Sequence, residues 1–176
     1  VIHPNQESHK LELIAERLTG VTAPSFTNAA MQWGNDTEPK ARDAYCFRHD
    51  ADVVEIGFVD HPLIAMTGAS PDGLIGDDGL LEIKCPNSAT HLDTLLGETV
   101  PGKYVTQMMW QMACTGRAWC DFASFDPRLP ASMSLFVRRI ERDDAMIAEL
   151  EREVAAFIAE IDDKVARLNE RYARAA

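Results

Sequence analysis

The sequence predicts an α+β fold (α/β mixed): a central mixed β-sheet flanked by helices. Three observations lead there. Apolar residues recur with a helical period at the start of the chain, on either side of position 100 and over the long C-terminal stretch. Between them lie short runs with a period of two, around 53–84 and again around 119–140. The order of these runs is helices, strands, two helices, strands, helix, which is neither a strict βα alternation nor a bundle.

Residues 9–18 place Leu11, Ile14, Ala15 and Leu18 on one helical face, and Gly20 stops the turn. Residues 21–28 read as loop. Residues 29–49 read as a second helix bearing Glu38. Gly34 and Pro39 blur its start, and proline at a first turn would make it begin near Glu38. Residues 53–59 and 63–67 read as strands around His61-Pro62, and 70–75 with 80–84 as a hairpin across Asp77-Asp78-Gly79. A helix over 87–96 takes Asn87 or Ser88 as N-cap. A further helix over 103–115 ends at Gly116. Strands over 119–125 and 133–140 are joined by a proline-containing loop, and 142–172 is a long amphipathic helix.

A chain of 176 residues is read as one domain spanning 1–176. No apolar run approaches membrane-spanning length and no signal-peptide pattern shows. The expectation is a cytoplasmic protein of a bacterial or phage-infected cell, with no membrane partner. Cys46, Cys85, Cys114 and Cys120 form no CxxC pair and read as reduced thiols, Cys85 as a small filler. The net charge of −11 argues against a general nucleic-acid binder. Its distribution softens that. Between 141 and 163 acidic side chains far outnumber Arg142 and Arg152, and that helical stretch is expected to face solvent.

The chemistry-bearing segment is SPDGLIGDDGLLEIKCP, from Ser70 to Pro86. Side chains two apart on a strand share a face. Glu82 and Lys84 therefore point one way, and Leu81 and Ile83 point into a core. The hairpin folds Asp72 back beside Glu82. Two carboxylates on adjacent strands are hard oxygen ligands suited to Mg²⁺ or Mn²⁺. An ammonium beside them stays protonated and suits water orientation or charge stabilisation more than free base work. The spacing alone is more often that of a charged surface strand, and the flanking residues change that reading. Scattered His49, His61 and His91 read as structural, and the methionines around Met108 as core packing.

SPDG followed by LEIKCP resembles the nuclease core of the phage lambda-type exonuclease (YqaJ-like viral recombinase) family, in the PD-(D/E)xK nuclease superfamily. Trp33-Gly34, Glu38-Pro39 and Ala41-Arg42 resemble its helical acidic motif, Tyr104-Val105-Thr106-Gln107 its glutamine motif, and Trp119 through Asp126-Pro127-Arg128 the strand and turn that follow. The likeness runs from about Glu12 to the C-terminal helix. It implies a restriction-endonuclease-like core with a long C-terminal helix and metal ligation by Asp72, Glu82 and the Ile83 carbonyl. Lys84 would be the catalytic lysine, with Glu38 and Gln107 as outlying contributors. Gln111, one turn on, competes with Gln107. Arg42, Lys103, Arg117 and Arg128 are the candidate phosphate contacts, Arg42 being also the natural ion-pair partner of Glu38.

The resemblance further implies a 5′→3′ exonuclease that digests one strand of linear double-stranded DNA. Two Mg²⁺ ions (or Mn²⁺) per site, a ring-shaped homotrimer and hand-over of the 3′ overhang to a single-strand annealing protein in phage-type recombination go with it. The family's 5′-phosphate segment has only a superficial counterpart in Thr22-Ala23-Pro24-Ser25, so that N-terminal part is expected to be missing or shortened. Two other readings stay open: a structure-specific endonuclease on the same core, and a non-catalytic nuclease-like interaction protein.

Overall fold

The computed structural model describes residues 4–22 and 27–173. The sequence-expected loop at 21–28 is described only at its ends. Most of the Thr22–Ser25 segment lies outside the described residues, as do Val1, Ile2 and His3.

The elements in chain order are α1 (Pro4–Thr19), α2 (Ala29–His49), β1 (Val53–Val54), β2 (Val59–Asp60), β3 (Gly68–Ala69), β4 (Gly73–Ile75), β5 (Gly79–Lys84), α3 (Ser88–Gly97), α4 (Gly102–Thr115), β6 (Trp119–Phe125), β7 (Leu135–Glu141) and α5 (Asp144–Ala173). The chain gathers into two compact units, Thr27–Ala148 and Val1–Phe26 with Glu149–Ala176.

In the larger unit β1-β4-β5-β6-β7 form one sheet. Its pairs are antiparallel except β5 with β6, which run parallel. A parallel pair needs a crossover, and α3 and α4 supply it between the two strands. The expected mixed sheet with flanking helices is therefore present. Strand β5 is the pivot, because both its faces are covered. Leu80, Leu81 and Glu82 are fully buried and Ile83 nearly so. Leu81 and Ile83 join Ala41 and Tyr45 of α2, Ala123 and Phe125 of β6 and Leu135 of β7 in one apolar cluster. The parallel register sets Glu82 beside Phe122 and Lys84 beside Ser124 on the opposite face. There Tyr104 of α4 stacks on Phe122 and His91 of α3 meets Ser124. Full burial of a ring such as Phe122 contributes about 1.5–3 kcal/mol.

Local chemistry explains the boundaries. Asn28 caps α2, its side-chain oxygen accepting from the Met31 N–H at 2.9 Å. That fixes the start at Ala29, and Pro39 sits inside the helix instead of opening it. Thr37, Ala41 and Tyr45, four apart, form its buried stripe. Asn87 caps α3 in the same way through the Thr90 N–H at 2.9 Å. The β4–β5 turn needs its glycines. Gly76 has φ +51°, and a Cβ at Gly79 would meet the Trp119 ring at 2.2 Å.

Three expectations are corrected. Residues 63–67 are not a strand: Leu63 and Met66 are exposed in a turn between β2 and β3, which pair with each other apart from the main sheet. Apolar content there is not matched by a sheet partner. The hairpin strand starts at Gly73, not Ser70, so Asp72 lies just before it. Residues 53–59 are not one strand: only the ends pair, Val53–Val54 with β4 and Val59–Asp60 with β3. The acid-rich stretch faces solvent as expected, most of its carboxylates being exposed. Within the smaller unit Glu160 pairs with Lys10 and Lys164, and Asp162 with Arg17. Among the described residues no helix is long and apolar enough to cross a membrane, and the four cysteines are free.

Candidate active site

An open cleft of ≈ 840 Å³ runs across the larger unit, lined among others by Trp33, Glu38, Asp72, Lys84, Lys103 and Arg128. Its floor is built by β5 and the residue that precedes β4. Pairing of Gly73 with Leu81 brings Asp72 alongside Glu82 and Ile83. The Ile83 N–H donates to Asp72 Oδ2 at 2.6 Å, which pins the carboxylate to the strand that carries Glu82 and Lys84. The three residues expected to converge do so.

Glu82 lies beneath the floor with no exposure. A buried carboxylate must be hydrogen-bonded to be tolerated. Gln107 Nε2 donates to its Oε1 at 2.8 Å and Gln111 Nε2 to its Oε2 at 2.6 Å. The Lys84 ammonium pairs with Oε1. Lys84 also lies 5.2 Å over the Tyr104 ring, which Lys103 covers at 4.7 Å. Glu38 reaches the cleft from α2. Arg42, its expected ion-pair partner, bonds it at 2.8 Å and holds Glu55 at 2.8 Å with its other nitrogen.

Electrostatics follow from this arrangement. Burial, then the negative charge of Glu82 and that of Glu38, push the Asp72 carboxyl up to about 7, against the Ile83 N–H bond and Lys84. Burial opposes charge on Lys84, but Glu82 and Asp72 outweigh it and hold the ammonium above its usual range. Burial, with Glu38 and Asp72, raises the Cys85 thiol to about 12, so it stays protonated at neutral pH.

No three His, Cys, Asp or Glu side chains converge into a metal cage among the described residues. The pair Asp72 and Glu82 nevertheless fits a hard cation that takes one or two carboxylates and completes its shell with phosphate and water. Burial and the neighbouring Glu82 carboxylate raise the Asp72 carboxyl, and both are what such an ion would offset.

The remaining candidates separate by place. Lys103 and Arg128 line the cleft. Arg42 stands behind Glu38. Arg117 lies at the other end of β5, where its Nη1 donates to the carbonyls of Gly76 at 2.8 Å and Gly79 at 2.7 Å and clamps the β4–β5 turn. Gln111 shares the Glu82 carboxylate with Gln107 instead of competing for one role, and their four-residue spacing on α4 was the signal for it. The Trp33–Arg128 contact, centred at 4.4 Å, joins distant parts of the sequence and had no local signal.

Known proteins fit this geometry. Residues 1–118 match the YqaJ-like viral recombinase domain. No curated protein matches the chain. Among solved structures, LHK-Exo, an alkaline exonuclease from Laribacter hongkongensis, is 49% identical with TM-score 0.95, over 100% of this chain and 89% of that one. LHK-Exo in complex with dAMP is 50% identical with TM-score 0.94, over 99% and 88%. A phage-related exonuclease from Haemophilus somnus 129PT, 16% identical with TM-score 0.76 over 94% and 85%, shares the fold. With its nuclease fold and its matching domain, this chain belongs to the YqaJ-like viral recombinase family.

Proposed function

We propose that the protein is a metal-dependent 5′→3′ exonuclease that hydrolyses one strand of linear double-stranded DNA and leaves a 3′ overhang. The observation that carries this reading is the Asp72–Ile83 hydrogen bond, which locks a carboxylate of raised pKa beside buried Glu82 and protonated Lys84 in an open cleft. The half-identical alkaline exonuclease LHK-Exo supports it.

Asp72 and Glu82, with the Ile83 carbonyl, would hold Mg²⁺ or Mn²⁺, two ions per site in the full reading. Such an ion supplies Lewis-acid stabilisation of phosphate charge and acidifies water. The chain's own groups do the rest. Gln107 and Gln111 fix the Glu82 carboxylate so that it faces the floor in one orientation. The Lys84 ammonium, set between Glu82 and the Tyr104 ring, orients the attacking water and stabilises the charge that develops on the phosphate. Water adds to phosphorus as the P–O bond to the leaving oxygen breaks. Lys103 neutralises backbone phosphate along the cleft, and Arg128 contacts it there. A homotrimeric ring would give processivity without a basic surface, which suits a chain of net charge −11. Delivery of the exposed strand to a single-strand annealing protein in phage-type recombination, inside a bacterial cell, completes the reading.

The test digests 5′-phosphorylated and 5′-hydroxyl linear duplexes, with covalently closed circles alongside, with and without Mg²⁺. Release of nucleotides from linear ends alone, dependent on Mg²⁺ and lost in Lys84→Ala, is the expected outcome. Nicking of the circles would replace this reading with an endonuclease.

A further inference from the structure

Resting on the exonuclease reading, we propose that Arg128 grips a phosphate of the bound strand along the cleft from the Asp72–Lys84 floor, and that Trp33 and Asp126 are its positioning residues.

The guanidinium is held on three sides. Its Nε donates to Asp126 Oδ1 at 2.7 Å and its Nη2 to Asp126 Oδ2 at 3.0 Å, a two-point fork. Nη2 also reaches the Pro86 carbonyl at 3.3 Å. The flat face lies 4.4 Å from the centre of the Trp33 ring. Asp126 is itself fully buried and accepts the Arg128 backbone N–H at 3.0 Å. Its carboxyl is drawn down to about 2 by those Arg128 bonds, so the fork persists at any working pH. Among the described residues Nη1 makes no hydrogen bond, and 46% of the side chain is exposed. Trp33 and Arg128 line the same cleft as Asp72 and Lys84.

Arg139 makes the same two-point fork on Asp121 and covers Trp119, with 47% of its side chain exposed, but it does not line the cleft. What sets Arg128 apart is its place: it stands in the cleft wall with Trp33, Asp72 and Lys84, where a bound strand would meet it. Because Asp126 offsets its charge, the contact gives position more than general attraction. That matches an acidic chain that must hold DNA in one place and not everywhere. A preset fork loses little side-chain freedom when it meets a phosphate. Lysine, a point charge on a flexible stem, does not reproduce it.

Two variants test this. Asp126→Asn combined with Arg128→Gln leaves the net charge unaltered, so a loss of affinity reports a lost contact and not altered total charge. Binding of a linear duplex in EDTA, followed by fluorescence anisotropy across a salt series, is expected to weaken about ten-fold at every salt concentration, with the slope of log K against log [salt] little changed because Asp126 already offsets the charge. Arg128→Lys retains charge and fold and is expected to raise KM about ten-fold or more, with the loss carried by KM and not kcat. Trp33→Ala should shift KM the same way, and Trp33→Phe should restore most of it. An unaltered affinity in the double variant together with an unaltered KM in Arg128→Lys overturns the proposal. If the double variant does not fold, KM of Arg128→Lys decides. Absence of cleavage by the unmodified protein would defeat the exonuclease reading itself, a distinguishable outcome.

Discussion

Strand β5 presents two faces that are both covered and chemically opposite. On one, Leu81 and Ile83 sit in an apolar cluster with Tyr45, and the carboxylate of Asp121, which pairs with Leu81 across the sheet, is held by donors. It accepts from the Tyr45 hydroxyl at 2.6 Å and from two nitrogens of Arg139 at 2.8 and 3.0 Å. On the other, Glu82 accepts from two glutamines and Lys84, yet Asp72 and Glu38 add negative charge that Lys84 alone does not cancel. Buried charge is therefore present on both sides of one strand. Where donors balance it, the group serves the fold. Where negative charge remains in excess beside an open cleft, the group is poised for a cation and a phosphate.

The contrast breaks most visibly at Lys84. Lys84→Ala should cut cleavage of linear duplex by about 10²–10³-fold, while circular dichroism and thermal unfolding show an intact fold. The opposite face should respond in the reverse sense. Asp121→Ala leaves the buried Tyr45 hydroxyl without its acceptor and half-exposed Arg139 without its carboxylate, and should cost about 1–3 kcal/mol in denaturant unfolding, with turnover per folded molecule preserved. Cleavage lost in proportion to neither change would erase the distinction between faces. Next in size is Gln111→Ala, which removes one donor from buried Glu82. A charged hydrogen bond of about 1.5–3 kcal/mol implies a ten- to hundred-fold fall in activity, comparable to Gln107→Ala. A silent Gln111 variant would return the role to Gln107 alone.

Much of this was legible beforehand. Glu82 and Lys84 share a face because a strand repeats every two residues, and Asp72 meets them because Asp77-Asp78-Gly79 turns the chain. The flanking helices followed from caps and periodicity, as Asn87 and Gly116 show. What escaped depends on partners distant in sequence. An apolar run at 63–67 suggested a strand, but no neighbouring strand receives it and Leu63 stays 84% exposed. The fork of Arg128 on Asp126 is local, whereas its stacking on Trp33 exists only once α2 packs beside the sheet.

A smaller effect sharpens the comparison through pH. Asp72 binds its proton more tightly folded than unfolded, its carboxyl rising to about 7 from 3.8. The sign is thus a stability contribution that is complete below about pH 4 and lost as pH climbs to 7. Without divalent metal, Asp72→Asn should melt several degrees above the unmodified protein at pH 8 and level with it near pH 4, by differential scanning calorimetry. Activity should rise through neutral pH as the Asp72 carboxylate becomes available for a cation. A melting difference that is flat with pH would remove the excess-charge argument.

Titration with Mn²⁺ at pH 8, followed by electron paramagnetic resonance of the free ion, tests the central claim most directly. The unmodified protein and Tyr45→Phe, altered only on the balanced face, should bind the ion alike. Asp72→Asn should lose that binding. Equal Mn²⁺ uptake by Asp72→Asn would contradict the account.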